Sequence, residues 1–181
     1  SNASRTEVTI TEEELMAAVK ILSEPIIQDI KAQKKTMFCK KDELVALATQ
    51  HITKNIDKDK YSCDYTLLST CHIMLHKFLW DTVNKAEGEY IQNKLMENDL
   101  QFAEDFFYDN NPSKVNIARL RMRLIREIIS SYGVSITHEE VSTIIYRHLW
   151  DGGGWNKLKN FKKDGSIYSW IETQARHEII R

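Results

Sequence analysis

The amino-acid sequence predicts an all-α protein built as a helical bundle, on three observations. Apolar residues recur at intervals of three and four through most of the chain, a spacing that places them on one face of a helix. Runs in which β-branched and polar residues alternate, as strands require, are few. Only two prolines occur among the 181 residues, so few positions are barred from a helix interior.

Start signals define the first two predicted helices. Thr11 and Glu14 form a capping box, in which the threonine hydroxyl accepts a hydrogen bond from one backbone amide and the glutamate reaches back to another. Pro25 fits the first turn of a helix but not its interior, because proline has no N–H and its ring clashes with the preceding turn. We therefore expect one helix to end before Pro25 and a second to run from it to about Lys34.

Two more helices are predicted in the front half of the chain. Apolar residues at helical spacing mark an amphipathic helix over about 44–52, and a charged loop follows at 55–60. Asp64 is placed to cap the next helix. The largely apolar sequence of that helix predicts that it is the buried one of the front half.

Gly88 is the expected domain boundary, because it falls between two helical patterns inside a polar stretch. It divides an acidic helical N-terminal domain of unknown role, residues 4–88, from a second helical domain, residues 89–181. Residues 1–3, Ser-Asn-Ala, resemble the remnant of an expression tag and are left out of the predicted fold.

Four helices are predicted in the back half, beginning near Tyr90, Val115, Thr137 and Ser166. The turn-forming sequence at 109–113 ends the first of them at Tyr108. Gly133 ends the second, because glycine readily takes the left-handed conformation found after a helix. The third opens with a capping box at Thr137 and Glu140, and it ends at the glycines 152–154.

Charge is distributed unevenly along a chain whose net charge is −1. Residues 1–113 carry 13 lysines and arginines against 19 acidic residues, whereas residues 114–181 carry 12 against 7. A basic back half suggests a partner that is rich in phosphate or acidic groups, and an acidic front half could mask that surface.

The sequence also bears on the compartment. No apolar run approaches the roughly 18 residues of a membrane span, and the chain does not open with a basic segment followed by an apolar one. Three cysteines, an odd and sparse set, suit a reducing compartment better than a disulfide framework. We therefore expect a cytoplasmic protein without a membrane partner.

Motifs for catalysis or metal binding are weak. The glycines 152–154 lack the Lys-Ser or Lys-Thr pair of a phosphate loop, and the segment from His177 has Arg181 where a zinc protease needs its second histidine. We expect no enzyme, no cofactor and no metal. The weaker alternative is a metal-dependent enzyme that uses a cluster without a Cys-x-x-Cys pair, formed by Cys63, Cys71, His72 and His76.

The order of features in the last third resembles region 2 of the sigma-70 family of bacterial transcription initiation factors, in the form found in extracytoplasmic-function members. An acidic, aromatic segment at 98–108 precedes two helices, of which the second ends in Leu149-Trp150. Phe161 and a helix opening Ser169-Trp170-Ile171 complete the pattern. The resemblance covers about residues 91–181 and implies a sigma region-2-like domain of three or four helices, preceded here by an additional helical N-terminal domain.

The resemblance implies two binding surfaces. The acidic helix of such a domain docks on the clamp helices of the largest RNA polymerase subunit, which assigns that contact to Glu140, Thr143 and Arg147. The basic helix captures promoter minus-ten DNA, which assigns DNA binding to a second set, Lys162, Lys163, Tyr168, Arg176 and Arg181. An anti-sigma factor is a further partner that the family admits.

Two departures from the family pattern matter for the function. Thr143 and Ile144 stand where the family commonly has Gln and Glu, which bears directly on the polymerase contact. The sequence ends at Arg181, ahead of the rest of the promoter-reading segment and of any helix-turn-helix domain, so we expect a fragment of a longer protein; whether a helix-turn-helix domain follows is left open. The alternative function is a helical protein-interaction or regulatory module without DNA binding.

Overall fold

A computed structural model describes residues 7–179 of the chain, and in that range it confirms the predicted all-α fold. None of the described residues forms a strand. Two short 3-10 helices lie at Lys58–Lys60 and Leu158–Asn160. The α-helices, in chain order, are α1 (Glu12–Gln33), α2 (Lys41–Asn55), α3 (Asp64–Met96), α4 (Leu100–Tyr108), α5 (Ala118–Tyr132), α6 (His138–Trp150) and α7 (Ile167–Ile179). The expected tag remnant at 1–3 lies outside the described residues.

The chain divides into two compact units, Ser1–Val83 and Asn84–Arg181. The division between the units therefore lies before Gly88, the residue at which the sequence predicted the boundary. Each unit has its own cluster of buried apolar side chains, so each has a hydrophobic core of its own.

The front unit shows that the expected helix break at Pro25 is wrong. Helix α1 runs through Pro25 without ending, from a capping box in which Glu14 N donates to the Thr11 hydroxyl over 3.1 Å. An interior proline removes one backbone hydrogen bond and costs about 3 kcal/mol. The buried face of α1 continues past it from Val19 to Ile27 and Ile30, and this burial outweighs the local cost.

The core of the front unit is formed by one face of α1, one face of α2 and the first part of α3. Helix α2 includes the predicted range, extends beyond it at both ends, and buries Leu44, Ala48 and Ile52. The part of α3 that belongs to this unit contributes Leu67, Cys71, Leu75, Leu79 and Val83, all fully buried. These residues recur every four positions, so one face of this part of α3 is buried. Tyr65 and Ile73 on other faces are 80% and 70% exposed, so the helix is buried on one face and not all round as predicted.

Asp64 makes a contact that the sequence did not predict. It is the first residue of α3, and its carboxylate accepts hydrogen bonds from the backbone N–H and the hydroxyl of Thr9, at 2.9 and 3.0 Å. These bonds, chiefly the one from the Thr9 amide, hold the pKa of Asp64 below its usual value. Asp64 thus fastens the segment before α1 to the start of α3.

In the second unit, the expected interruption of the helix at Gly88 is also wrong. Helix α3 continues through Gly88 to Met96. A Cβ atom at Gly88 would lie 2.7 Å from Cε2 of the Phe161 ring, closer than van der Waals contact allows. The glycine therefore allows the Phe161 ring to pack directly on the helix backbone.

The break comes instead between α3 and α4, where a single helix from Tyr90 to Tyr108 was expected. Asn98 takes a left-handed conformation with φ of 60°. Asp99 then caps α4, and its carboxylate accepts a hydrogen bond from the backbone N–H of Phe102 over 3.0 Å. Asparagine tolerates the left-handed region and aspartate is a strong helix cap, so this pair ends one helix and starts the next.

The core of the second unit is rich in aromatic side chains. Phe107 stacks on Trp155, with ring centroids 6.1 Å apart, and Trp155 meets Trp150 edge to face at 5.1 Å. The 109–113 segment forms the predicted turn, and α5 begins at Ala118, later than expected, and ends at left-handed Gly133 as predicted. Helices α6 and α7 bury Val141, Ile145, Leu149, Ile167, Ile171 and Ala175 in this core.

No helix among residues 7–179 is both long enough and apolar enough to cross a membrane.

Candidate partner-binding surfaces

The predicted capping box at the start of α6 is present and holds Glu140 in place. Glu140 N donates to the Thr137 hydroxyl over 3.1 Å, and that hydroxyl donates to Glu140 Oε1 over 2.9 Å. The Glu140 carboxylate therefore sits at the positive end of the helix, with one oxygen engaged and the residue as a whole exposed to solvent.

Glu140, Thr143 and Arg147 lie on one face of α6, as their spacing along a helix requires. Together with Thr137, Glu139 and Ile144 they line an open depression of about 380 Å³, which we call the α6 depression. It presents carboxylates near the start of the helix, a guanidinium near its end, and an isoleucine between them. The structure thus brings together all three side chains that the sigma resemblance assigns to the polymerase contact.

Thr143 also has a role inside the unit. Its hydroxyl lies 2.8 Å from the hydroxyl of Tyr108, at the last residue of α4. A hydrogen bond at this distance ties α6 to the end of α4. Thr143 therefore has a structural role at a position where the family pattern has another residue.

A buried arginine, Arg121, makes hydrogen bonds to His138 and Ser142 in the first turns of α6. This arginine was not identified from the sequence. Its side chain is only 1% exposed. The guanidinium donates to the carbonyl of Phe107 over 3.0 Å and to the hydroxyl of Ser142 over 2.8 Å, and Nε donates to Nδ1 of His138 over 3.1 Å. Two further bonds reach the Asp109 carbonyl and the side chain of Asn110. Burial lowers the pKa of Arg121, as expected when a cation is withdrawn from water.

Arg121 therefore joins the end of α4, the following turn and the first turns of α6. A signal for it exists in the sequence, because Arg121 shares a helix face with Leu124 and Ile128, whereas Arg119 and Arg123 do not. Of the four arginines of α5, Arg121 belongs to the core face. Its hydrogen bonds satisfy carbonyl groups that the end of α4 leaves without helical partners.

The basic segment before α7 carries two of the predicted DNA-binding residues. Lys162 is exposed and Lys163 is half-exposed, and they follow the short helix Leu158–Asn160. Lys163 has a left-handed backbone with φ of 63°. These ammonium groups are placed at the surface, where they can meet phosphate.

Tyr168 lies in a different environment from the one a stacking residue needs. Its ring is half-buried and stacks on Phe106 at a centroid distance of 6.2 Å, and its hydroxyl oxygen is removed from solvent. Burial raises the pKa of Tyr168 well above its usual value, with a further contribution from the Glu87 carboxylate. In this conformation the ring packs in the core of the unit and is not offered to an unstacked base.

Arg176 is exposed but already paired. Its guanidinium lies 2.9 Å from the carboxylate of Glu127 and 3.3 Å from that of Glu172. Glu172 also binds Arg123 at 2.8 Å, so two arginines and two glutamates form one network between α5 and α7. The remaining predicted DNA contact, Arg181, lies outside the described residues.

The alternative metal cluster is not brought together. Cys63 lies 3.2 Å from the hydroxyl of Thr66, and hydrogen bonds from Thr66 lower its thiol pKa, whereas burial raises that of Cys71. Within the described range, no three histidine, cysteine or acidic side chains are grouped so that they could hold a metal ion. The surfaces to which the sigma resemblance assigns partners are the α6 depression and the lysines before α7. In comparisons with known proteins, no protein-family model, no curated protein and no solved structure matches this chain.

Proposed function

We propose that the second unit is a binding module of a transcription initiation factor, which docks on RNA polymerase core through the α6 depression and contacts promoter minus-ten DNA through the segment before α7. One observation carries the proposal: Glu140, Thr143 and Arg147 line a single open depression. The resemblance of residues 91–181 to sigma region 2 supplies the identity of the partner.

The charges of the α6 depression suit a helical partner. Glu140 and Arg147 are opposite in sign and seven residues apart on α6, which is about 10 Å along a helix axis. A partner helix with a cation and an anion at the same separation can pair with both in only one orientation. Such complementary charges fix the register of an interface more than they raise its affinity.

The DNA contact rests on Lys162 and Lys163, because the predicted stacking residue, Tyr168, packs on Phe106. Cations that meet phosphate bind all sequences alike, with an affinity that falls as salt rises. Capture of an unstacked base would need an aromatic face, and Tyr168 would first have to leave its contact with Phe106. We therefore assign DNA affinity to the two lysines, with a contribution from Arg176 only when it leaves its carboxylate partners, and we assign sequence reading to no described residue.

The polymerase contact is tested with Glu140→Gln and a matched control, Glu104→Gln on the exposed side of α4. Glutamine still completes a capping box, so Glu140→Gln removes the charge and keeps the start of α6. We expect the labelled chain to bind purified RNA polymerase core about fivefold to tenfold less tightly with Glu140→Gln, and equally well with Glu104→Gln. Equal binding by both variants, or no binding of the parent chain at low salt, contradicts the proposal.

A second candidate function, a protein-interaction module without DNA binding, is favoured by the placement of Tyr168 in the core and of Arg176 in ion pairs. Fluorescence anisotropy with a single-stranded promoter oligonucleotide separates the two. Binding that weakens with salt and falls in the Lys162→Ala, Lys163→Ala double variant supports the initiation factor. No binding at low salt, from a chain that still binds polymerase, supports the interaction module.

A further inference from the structure

A second concave surface lies beside the α6 depression, at the far end of the second unit's helices. The C-terminal end of α5, the 133–137 link, α6 and the last turn of α7 enclose a groove of about 520 Å³. Its apolar lining consists of Ile128, Tyr132, Val134, Ile136, Ile144 and Ile179. We call it the α5–α7 groove.

The exposure of this lining is unusual for a link between two helices. Tyr132 is 51% exposed and Val134 55% exposed, on either side of the left-handed Gly133. Single exposed apolar side chains are ordinary on a protein surface. Here they adjoin the half-buried Ile136 and Ile144 in one concave site, so an incoming apolar side chain could contact several of these residues at once.

The charged side chains of the groove indicate which kind of molecule can bind there. Its two carboxylates are those of Glu140 and Glu178, and none of the described lining residues is basic. Glu140 Oε1 accepts from Thr137, and the second oxygen of this carboxylate can accept from an incoming group. Glu178, whose Oε2 lies 3.5 Å from Nδ1 of His148, adds negative charge at the rim of the groove. Carboxylates repel phosphate, which argues against nucleic acid and anionic lipid as occupants.

We propose that the α5–α7 groove binds a segment of a partner protein in which a large apolar side chain stands next to a lysine or arginine. The apolar side chain fills the space between Val134, Ile136 and Ile144, and the cation pairs with Glu140 or Glu178. Apolar anchors in pockets dominate the affinity of such contacts, and charge pairs at the rim select the partner. Glu140 and Ile144 line both concave surfaces, so this site extends the α6 depression, yet it does not require that RNA polymerase be the partner.

The probe is a library of short random peptides displayed on phage, selected on the parent chain and depleted on the Val134→Asp variant. Val134 is more than half exposed, so this variant should fold, and circular dichroism checks it. The matched control is Leu100→Asp, because Leu100 is apolar, 78% exposed and not part of the groove. We expect enriched peptides to combine leucine, phenylalanine or tryptophan with a neighbouring lysine or arginine.

The selected peptide is then titrated into the ¹⁵N-labelled chain. We expect amide shifts to concentrate at 132–136, 140–144 and 178–179, with affinity about tenfold lower in Val134→Asp and unchanged in Leu100→Asp. A more conservative variant, Val134→Ala, should give a smaller loss in the same direction.

Four outcomes overturn the proposal. In the first, the selection yields no peptide whose binding depends on Val134. In the second, it yields acidic peptides. Binding can appear only after residues 180–181 are deleted, which would make the chain's own end the occupant. The same groove amides can shift with chain concentration alone, which would make a second copy the occupant.

Discussion

The guanidinium of Arg121 is buried, and its hydrogen bonds explain why the burial of this charge is tolerated. Removing a cation from water costs several kcal/mol unless its N–H groups find acceptors. All three nitrogens of the Arg121 guanidinium have acceptors, supplied by Phe107, Asp109, Asn110, His138 and Ser142. These acceptors belong to α4, the turn after it and α6, so the position of the α6 depression depends on Arg121.

Arg121→Met should destabilise the second unit by about 3 kcal/mol. Methionine fills much of the space, but it leaves the Phe107 carbonyl and the Ser142 hydroxyl without a donor in the core. The measurement is urea unfolding followed by circular dichroism. Arg119→Met is the control, because Arg119 is exposed on the same helix and should change stability by less than about 0.5 kcal/mol. An equal effect of the two substitutions would show that Arg121 does not hold the unit together.

At the residue scale, the roles of some side chains were predicted correctly from the sequence, whereas the environments of others were not. The capping boxes at Thr11 and Thr137 follow from local rules, since a cap needs only residues three apart. The environments of Arg121 and Tyr168 depend on Phe106, Phe107 and Ser142, which are distant in sequence. Helical periodicity places Arg121 on the apolar face of α5, but it does not show which distant groups will cover a basic or aromatic side chain there.

At the scale of elements, α3 shows how packing overrides local propensity. Glycine within a helix costs about 1 kcal/mol relative to alanine, which is why Gly88 suggested a break. The helix continues because the Phe161 ring occupies the space that a side chain at position 88 would fill. The break at Asn98-Asp99 used ordinary turn and cap chemistry and was available from the sequence.

Gly88→Ala should therefore lower stability by about 1 kcal/mol, because the strain against Phe161 exceeds the gain in helix propensity. The same substitution in a Phe161→Leu background should become neutral or stabilising, because the smaller side chain leaves room for the new methyl group. Thermal unfolding of the four proteins gives this double-mutant cycle. If Gly88→Ala is stabilising in the parent chain, the close contact does not restrict position 88.

The ion-pair network between α5 and α7 bears on whether Arg176 can bind DNA. Glu127 and Glu172 hold the Arg176 guanidinium, so any phosphate contact by Arg176 competes with these carboxylates. Glu127→Gln should raise the affinity for single-stranded DNA by about twofold to fivefold, the equivalent of one exposed ion pair. Glu104→Gln removes the same charge away from the network and should have a smaller effect. Equal gains from both would mean that Arg176 does not touch DNA.

At the scale of the whole molecule, helical periodicity was sufficient to predict an all-α chain. It could not place the division at Val83 and Asn84, because α3 continues in sequence through that point. Nor could it separate Pro25 from a true helix end, since the burial that holds α1 together comes from α2 and α3. The surface grooves depend on how helix ends meet, which no spacing of residues within one helix encodes.

Acid should destabilise the protein in a definite pH window. Hydrogen bonds hold the pKa of Asp64 and of Asp109 below the usual value, through Thr9 and Asn111, and Lys41 does the same for Glu24. A carboxyl whose folded-state pKa is lowered stabilises the fold above its unfolded pKa of about 4, and that contribution is lost as the pH falls through the folded value. We expect stability to be flat above about pH 5 and to fall below about pH 4.

The Asp64→Asn variant tests whether the contact between Asp64 and Thr9 contributes to the pH dependence of stability. The variant should be less stable than the parent at about pH 6 and should lose less stability on acidification to about pH 3, as measured by denaturant midpoints at both values. An unchanged acid dependence would contradict the role assigned to the Thr9 contact.

The most direct test of the proposed function is photo-crosslinking from position 147 to RNA polymerase core. A photoreactive amino acid replaces Arg147, whose side chain is exposed at the α6 depression, and a second protein carries it at Leu100 as the control. The account predicts a covalent adduct between position 147 and the largest polymerase subunit, and none from position 100. A complex that forms without an adduct from position 147, or with an adduct only from position 100, would contradict it.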